Sequence, residues 1–501
     1  MIKQNKFYIF AGGFLFIIVV LLPFNYLLHF ALDDSFFYIK TAFNFASGHG
    51  STFDGINLTN GYQPLWFLIL SAAYLPLTLI KGISPEFIYR YTFELVIIIN
   101  LFTLKILREF IRLTFKDNGS DIMVLISLLI LPLVLLNIIG METQIALLLI
   151  SMYLYSYTHS IMFNKTNSFN RSIITGLIIL ARIDYIVFLL PFIVLGEFKR
   201  LKDFNYAEKL KSIIKFLIVP FILECGYSLI NYYYFGTIYS ISGYLKVSTR
   251  DILFLRNLPY PYLQPINFII LTFIIVSGLL YFILFRRKIN NEITRSVFII
   301  IELFYLGGAL FLIANYCFNI YGCAEWYYST ASFAGVLLLS PIVRYSKKLK
   351  LFMFGTAFII FICYFTIFRI NYYRWDEIYD YAKSLKNIIL QNEIVYQFNI
   401  CGIIGFFSER KVINGDGLIN SFKYFEFVKS GKLNEYLKSV GADYYGTDSF
   451  SDLTGQGSFV DKRGEYLFQF PLEKIKLKKV YRYGGIFRNK NGYLYLIRII
   501  P

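Results

Sequence analysis

The sequence predicts a mostly α-helical, polytopic membrane protein of about eleven transmembrane helices, with interfacial helices and a C-terminal extracytoplasmic α/β domain. Three observations carry that prediction. Of 501 residues, 57% are hydrophobic and 20% aromatic while only 16% are charged; soluble domains average about 45–50% apolar and about 25% charged. Apolar runs of spanning length recur from Phe7 to Arg369 and then stop. Lysines and arginines cluster between those runs, so the net charge of +17 is explained by basic cytoplasmic loops rather than by nucleic-acid binding. The five cysteines have no regular spacing and suggest neither a disulfide framework nor a zinc site. Cys317 and Cys323 could pair outside the cytoplasm, but the favoured reading is that each is a small buried residue, a common role for cysteine.

Lys3 and Lys6 precede the apolar run from Phe7 to Phe30. This run is too long for a signal-peptide core and lacks a small-residue cleavage site before Asp33, so it reads as a retained first helix starting inside, kinked at Pro23. Further spans are expected at 87–107, 122–139, 144–158, 171–181, 185–197, 212–232, 266–285, 296–315, 327–343 and 350–369. Placing the basic loops around Lys105 to Lys116, Lys199 to Lys211, Arg286 to Arg295 and Arg344 to Lys350 inside leaves the first loop, 31–66, outside. Residues 140–143, 182–184, 233–262 and 316–326 then lie on that same external side. The parity holds only if residues 67–80, fourteen residues with a proline, form an interfacial or re-entrant helix. The chain therefore divides into a membrane module, 1–371, and a soluble module, 372–501. In the latter, strand-like runs at Ile394 to Phe398, Tyr466 to Phe470 and Tyr493 to Ile500 alternate with helical stretches at Phe422 to Ser430 and Leu433 to Val440. There is no internal repeat.

The external stretches hold the residues suited to chemistry. Asp33 and Asp34 open a helix with Phe36, Ile39 and Phe43 on one face, a pattern suited to the membrane surface. One such carboxylate can act as a general base while its neighbour raises its pKa; the pair equally suits a helix N-terminus. Glu142 sits in a sharp turn, where it can serve a site or favour a helix start. Arg182 and Asp184 interrupt apolar sequence and either pair together or expose the guanidinium to an anionic substrate. Lys246 ends the aromatic stretch Asn231 to Lys246 and suits a phosphate, or a lysine snorkelling from an aromatic belt. Tyr62, Trp326 and Tyr327 are the candidate acceptor- or sugar-binding aromatics, in positions that an interfacial belt would also occupy. Oxygen ligands from Asp33, Asp34 and Glu142 could hold a divalent metal ion, whereas His29, His49 and His159 are too dispersed for a metal cluster. Cys401-Gly402-Ile403-Ile404-Gly405 lacks a full dinucleotide fingerprint and reads as a turn. Asn57-Leu58-Thr59 fits a glycosylation sequon.

Taken in order, several short motifs resemble the GT-C superfamily of polyprenyl-phosphate-sugar glycosyltransferases. They are Asp33-Asp34, Asn60-Gly61-Tyr62-Gln63-Pro64-Leu65-Trp66, Gly140-Met141-Glu142-Thr143, Ala181-Arg182-Ile183-Asp184, and Phe235-Gly236 with Ser242-Gly243 and Lys246. The likeness is nearest to the bacterial branch of terminal arabinofuranosyltransferases and pilin glycosyltransferases, and Gly405-Phe406-Phe407-Ser408 with Asn414 to Asn420 is similar to that branch's external domain. The resemblance implies a GT-C fold in the cytoplasmic membrane, N-terminus inside and C-terminal domain outside. It also implies inverting transfer of a hexose or pentose from a polyprenyl-phosphate donor to a glycan, lipid or protein acceptor. By that likeness Asp33 is the base and Asp34 its neighbour, while Glu142, Arg182 and Lys246 line the donor-phosphate end; metal use differs among such enzymes. Ile241 departs from the pattern, which leads one to expect proline before Ser242-Gly243.

Two other classes compete with the transferase. A transporter or flippase of lipid-linked sugars would need charge on broken helices near the midplane, for which Arg182 and Asp184 are the candidates, and preferably an inverted repeat. A non-catalytic anchor presenting 372–501 would leave the ordered external motifs without a use.

Overall fold

The computed structural model describes residues 2–115, 139–163, 168–247, 252–253, 265–289, 292–320, 323–340 and 375–447, together with strand segments between 459 and 499. The spans expected at 122–139 and 350–369, the end of the one at 327–343, and the basic loop from Arg344 to Lys350 lie outside the described residues.

The described chain is mostly helical. Among the described residues four helices are long and apolar enough to cross a membrane, at Thr143–Met162, Tyr206–Phe235, Asn267–Leu284 and Thr294–Phe318. Pro85–Phe115, at 31 residues, would reach about 46 Å at 1.5 Å per residue but carries more charge. The expected 185–197 span is instead two short helices, Tyr185–Phe188 and Leu190–Arg200. Residues 67–80 fall in a helix that starts earlier, Pro64–Tyr74, and tightens into a 3-10 turn at Leu75–Leu79. These sixteen residues span about 24 Å, short of the roughly 30 Å hydrocarbon core. Cys317 and Cys323 are both free thiols.

Prolines decide where polar side chains are needed in this apolar body. Pro23 ends the first helix, Ile2–Leu21, rather than kinking it; a short helix, Phe24–Leu28, follows. The Val19 carbonyl would otherwise accept from the N–H of residue 23, which proline lacks. Arg90 donates to that carbonyl instead, and to Leu22 O at 2.9 Å. The same logic governs Pro220 inside Tyr206–Phe235: the Phe216 carbonyl, orphaned four residues earlier, accepts from Ser172 Oγ of the neighbouring Phe169–Ala181 helix.

The C-terminal residues form a five-stranded sheet of β1 Ile394–Gln397, β2 Lys411–Asn414, β3 Tyr444–Thr447, β4 Glu473–Ile475 and β5 Tyr495–Arg498, in the order β2-β1-β3-β5-β4. β1 pairs in parallel with β2 and β3, and β5 pairs antiparallel with β3 and β4. Alternation along the strands splits the apolar side chains between two cores. Val395, Val412, Tyr444 and Leu496 face the core shared with the N-terminal helices; Tyr396, Ile413 and Tyr445 face a second core over the helices Phe422–Lys429 and Leu433–Val440. The first core continues without a break into the first loop. There Phe36 meets Phe406 and Phe407 at 5.5 and 5.1 Å, and Phe24 meets Tyr379 of the Trp375–Ile388 helix at 5.2 Å.

The segment expected to be a turn after β1 is a helix, Cys401–Phe407. Ile400 makes this sharp strand-to-helix corner by adopting φ +57°, a left-handed conformation costly for a β-branched residue.

Candidate active site

The helix Asp33–Ala46 is the platform. It runs alongside Cys401–Phe407, and its charged residues match the dipole of that helix at both ends. Asp33 accepts from Gly402 N at 3.0 Å and Ile403 N at 2.8 Å, two of the amides a helix start leaves free. One helical stretch further on, Lys40 Nζ donates to the Gly405 carbonyl at 2.6 Å. Burial pulls the Lys40 ammonium down to about 8, with Asp54 beside it acting the other way. A Cβ on Gly402 would lie 2.1 Å from the Asp33 carbonyl oxygen, so only glycine permits this approach.

The Asn60–Trp66 stretch then ties the other motifs to this platform. Asn60 Nδ2 donates to Tyr239 O at 2.9 Å and its Oδ1 accepts from Ile241 N at 3.0 Å. That second bond gives Ile241 a reason to stand where the resemblance leads one to expect proline, which has no N–H to offer. Gly61 packs so closely on Leu418 that a Cβ would lie 2.0 Å from its carbonyl oxygen. Gln63 Oε1 accepts from Ile183 N at 3.0 Å, and Trp66 Nε1 donates to Gly140 O at 2.7 Å.

The result is a cavity of about 860 Å³ that gathers Asp34, Glu142, Arg182, Asp184, Lys246, Trp326 and Tyr327, residues spread over 294 positions of chain. Of the aspartate pair, Asp34 lines the cavity, while Asp33 turns to the Cys401–Phe407 helix. Tyr62 is not brought to the cavity lining: it is buried, stacked on Phe67 at 3.9 Å with its hydroxyl on Ser51. Trp326 and Tyr327 do line it, stacked at 5.7 Å, with Tyr327 also stacked on Phe311.

Arg182 neither pairs with Asp184 alone nor stands free for an anion. Its guanidinium bridges Glu142 at 3.3 Å and Asp184 at 3.1 Å and lies over the rings of Tyr327 and Phe311 at 4.6 and 4.8 Å. Lys246 has no such ion pair among the described residues. Burial alone would lower its ammonium, but Tyr327, Asp34 and Glu142 outweigh that and hold it above the ordinary lysine value. Burial raises the Asp34 carboxyl, with Lys246 opposing.

Asp416 was missed in the sequence. It sits in the Asn414–Gly417 loop at the carboxyl end of β2, where open α/β sheets commonly place ligands. Its Oδ1 accepts from Leu418 N at 2.8 Å. Burial pushes its carboxyl up to about 6, and the charge of Asp34 adds to the rise. The run Asn-Gly-Asp-Gly after a strand was the available signal.

Asp33, Asp34 and Glu142, the residues considered for a metal, do not converge as one ligand group. Asp33 gives both oxygens to backbone amides, Glu142 faces Arg182, and among the described residues no three His, Cys, Asp or Glu side chains converge as a ligand group.

The fold and cavity thus define a mostly helical chain with membrane-spanning-length helices and a charged cavity whose lining runs from Asp34 to Leu418. No protein-family model matches the chain, and no curated protein sequence matches it.

Proposed function

We propose that the chain is an integral membrane glycosyltransferase of GT-C type that moves a hexose or pentose from a polyprenyl phosphate to an extracytoplasmic acceptor with inversion. In this reading the cavity faces the outside of the cytoplasmic membrane, and the sheet at the C-terminus lies on that side. One observation carries it: a cavity with Asp34, Lys246 and the Glu142–Arg182 pair inside and a rim of exposed apolar side chains, among them Val187, Ile238, Val247 and Phe318. Such a site suits an anionic headgroup on a long apolar chain, because charge is held inside while the tail stays in lipid.

In the reaction, the acceptor hydroxyl gives its proton to a carboxylate as its oxygen attacks the anomeric carbon. The bond from that carbon to the phosphate oxygen breaks, and the electron pair leaves with polyprenyl phosphate. We assign the base to Asp34, the cavity carboxylate, rather than to Asp33, whose oxygens hold the Cys401–Phe407 helix. A raised carboxyl pKa makes Asp34 a stronger base. The leaving phosphate gains one negative charge over the ground state, so a cation acts on the rate only through that increment; Lys246, with no ion pair of its own among the described residues, is placed to supply it. Arg182, already between two carboxylates, orients Glu142 and the aromatic wall.

Incubating the purified protein with a panel of polyprenyl-phosphate sugars and an acceptor mixture, and following release of polyprenyl phosphate, tests the reading. Release that depends on Asp34 is the expected result; none with any donor overturns it.

A further inference from the structure

The Tyr206–Phe235 helix carries a second polar feature of the cavity. Glu224, Tyr227, Ser228 and Asn231 recur at the three-and-four spacing of one helix face, and the first three line the cavity. The opposite face is apolar and exposed: Ile222, Leu229 and Ile230. A carboxylate in so apolar a helix is expensive unless it meets a partner. Yet Glu224 Oε2 is a buried atom without a hydrogen-bond partner among the described residues, while the Tyr227 hydroxyl and the Asn231 side chain lie beside each other. Asn231 Oδ1 accepts from Asn60 and so ties the stripe to the first loop. A hydroxylated ligand would give Glu224 Oε2 the partner it lacks.

We infer that this stripe is a sugar-binding wall: the Glu224 carboxylate accepts from two neighbouring ring hydroxyls while Tyr227, held beside Asn231, hydrogen-bonds an adjoining oxygen. A carboxylate there repels phosphate, so the wall takes the uncharged ring, and Lys246 the anion. The inference rests on the proposed reading only for the molecule that brings the sugar. That molecule is the donor or the acceptor; the ring chemistry is common to both.

Saturation-transfer NMR on the full-length protein in lipid nanodiscs, with methyl glycosides of hexoses and pentoses, tests the wall without any lipid carrier. Wild type and Asp34→Asn should transfer saturation to ring protons, and Glu224→Ala should lose at least fivefold, with Tyr227→Phe intermediate. No transfer to any glycoside in wild type, or equal transfer in Glu224→Ala, overturns the inference. Binding of a polyprenyl-phosphate hexose and of bare polyprenyl phosphate then separates the sources. A tenfold weakening by Glu224→Gln of the first ligand alone assigns the wall to the donor ring. Unchanged binding of both, with a tenfold higher acceptor KM, assigns it to the acceptor. Equal weakening of both lipids, or no change in any of the three, overturns the inference. If wild type binds neither lipid while glycoside transfer persists, the lipid-carrier reading fails and the wall stands.

Discussion

Asp33 and Gly402 lie 369 residues apart, and the Gly402 amide donates to the Asp33 carboxylate at 3.0 Å, joining the first loop to the C-terminal sheet. The contact forces a division of labour on two adjacent carboxylates of the same residue type. One builds the junction; the other faces the cavity.

Asp34→Asn should therefore abolish transfer, by about 10²–10⁴-fold if Asp34 is the general base, while donor binding persists. Asp33→Asn should lower turnover less and raise sensitivity to protease between the first loop and the sheet. Turnover assays and limited proteolysis on the same preparations check both; near-normal turnover in Asp34→Asn would reject its role.

Gly402→Ala should undo the junction directly. Its methyl would meet a backbone oxygen that has no freedom to rotate away, and overpacking of this kind costs about 1–3 kcal/mol. A lower melting temperature together with loss of activity is expected. A neutral result would mean that the two helices can slide apart.

Arg182→Met should destabilise by about 3–5 kcal/mol, because it leaves Glu142 buried without its cation. Asp184→Asn should cost much less, since the Asp184 side chain is 39% exposed and Arg182 keeps Glu142. Melting curves in one detergent rank the two, and the reverse order would contradict the geometry.

Stability should fall as pH rises from about 4 to 7. Burial outweighs the Ile403 and Gly402 amides and lifts the Asp33 carboxyl to about 7. In that window the folded protein keeps a proton the unfolded chain has released. The contribution is complete below the ordinary carboxylate pKa and gone above about 7. Asp33→Asn should flatten the melting-temperature slope there; an unchanged slope would assign it to other groups.

Asn60→Ala should release the Tyr239–Ile241 loop that leads into Lys246, losing the two hydrogen bonds to that loop and a third to Asn231 at about 0.5–1.5 kcal/mol each. A higher donor KM with a small change in kcat is the expected kinetic result. A fall in kcat with KM unchanged would instead place Asn60 at the transition state.

The helical character and the expected strand Ile394 to Phe398 were legible because apolar periodicity is a local property, which side-chain burial reads directly. The motifs bearing Asp34, Glu142, Arg182, Lys246 and Trp326 were legible as charged or aromatic breaks in apolar sequence. Other features were not. Tyr62 looks like its motif neighbours, yet its ring is spent on Phe67. Pro23 marked a bend, but whether the helix kinked or ended depended on a distant arginine able to take the Val19 carbonyl. Cys401–Phe407 is too short to show a helical period, so its role appears only where it meets Asp33.

By itself, the sequence determined which residues are candidates and which stretches are apolar enough to form long helices, since both follow from composition over a few turns of chain. Only the tertiary structure decided which of Asp33 and Asp34 faces the cavity, that Arg182 is already shared between two carboxylates, and that Asp416 and Glu224 belong beside them. Those are relations between side chains tens to hundreds of residues apart, and close packing of helices and sheet, with every buried polar group seeking a partner, settles them.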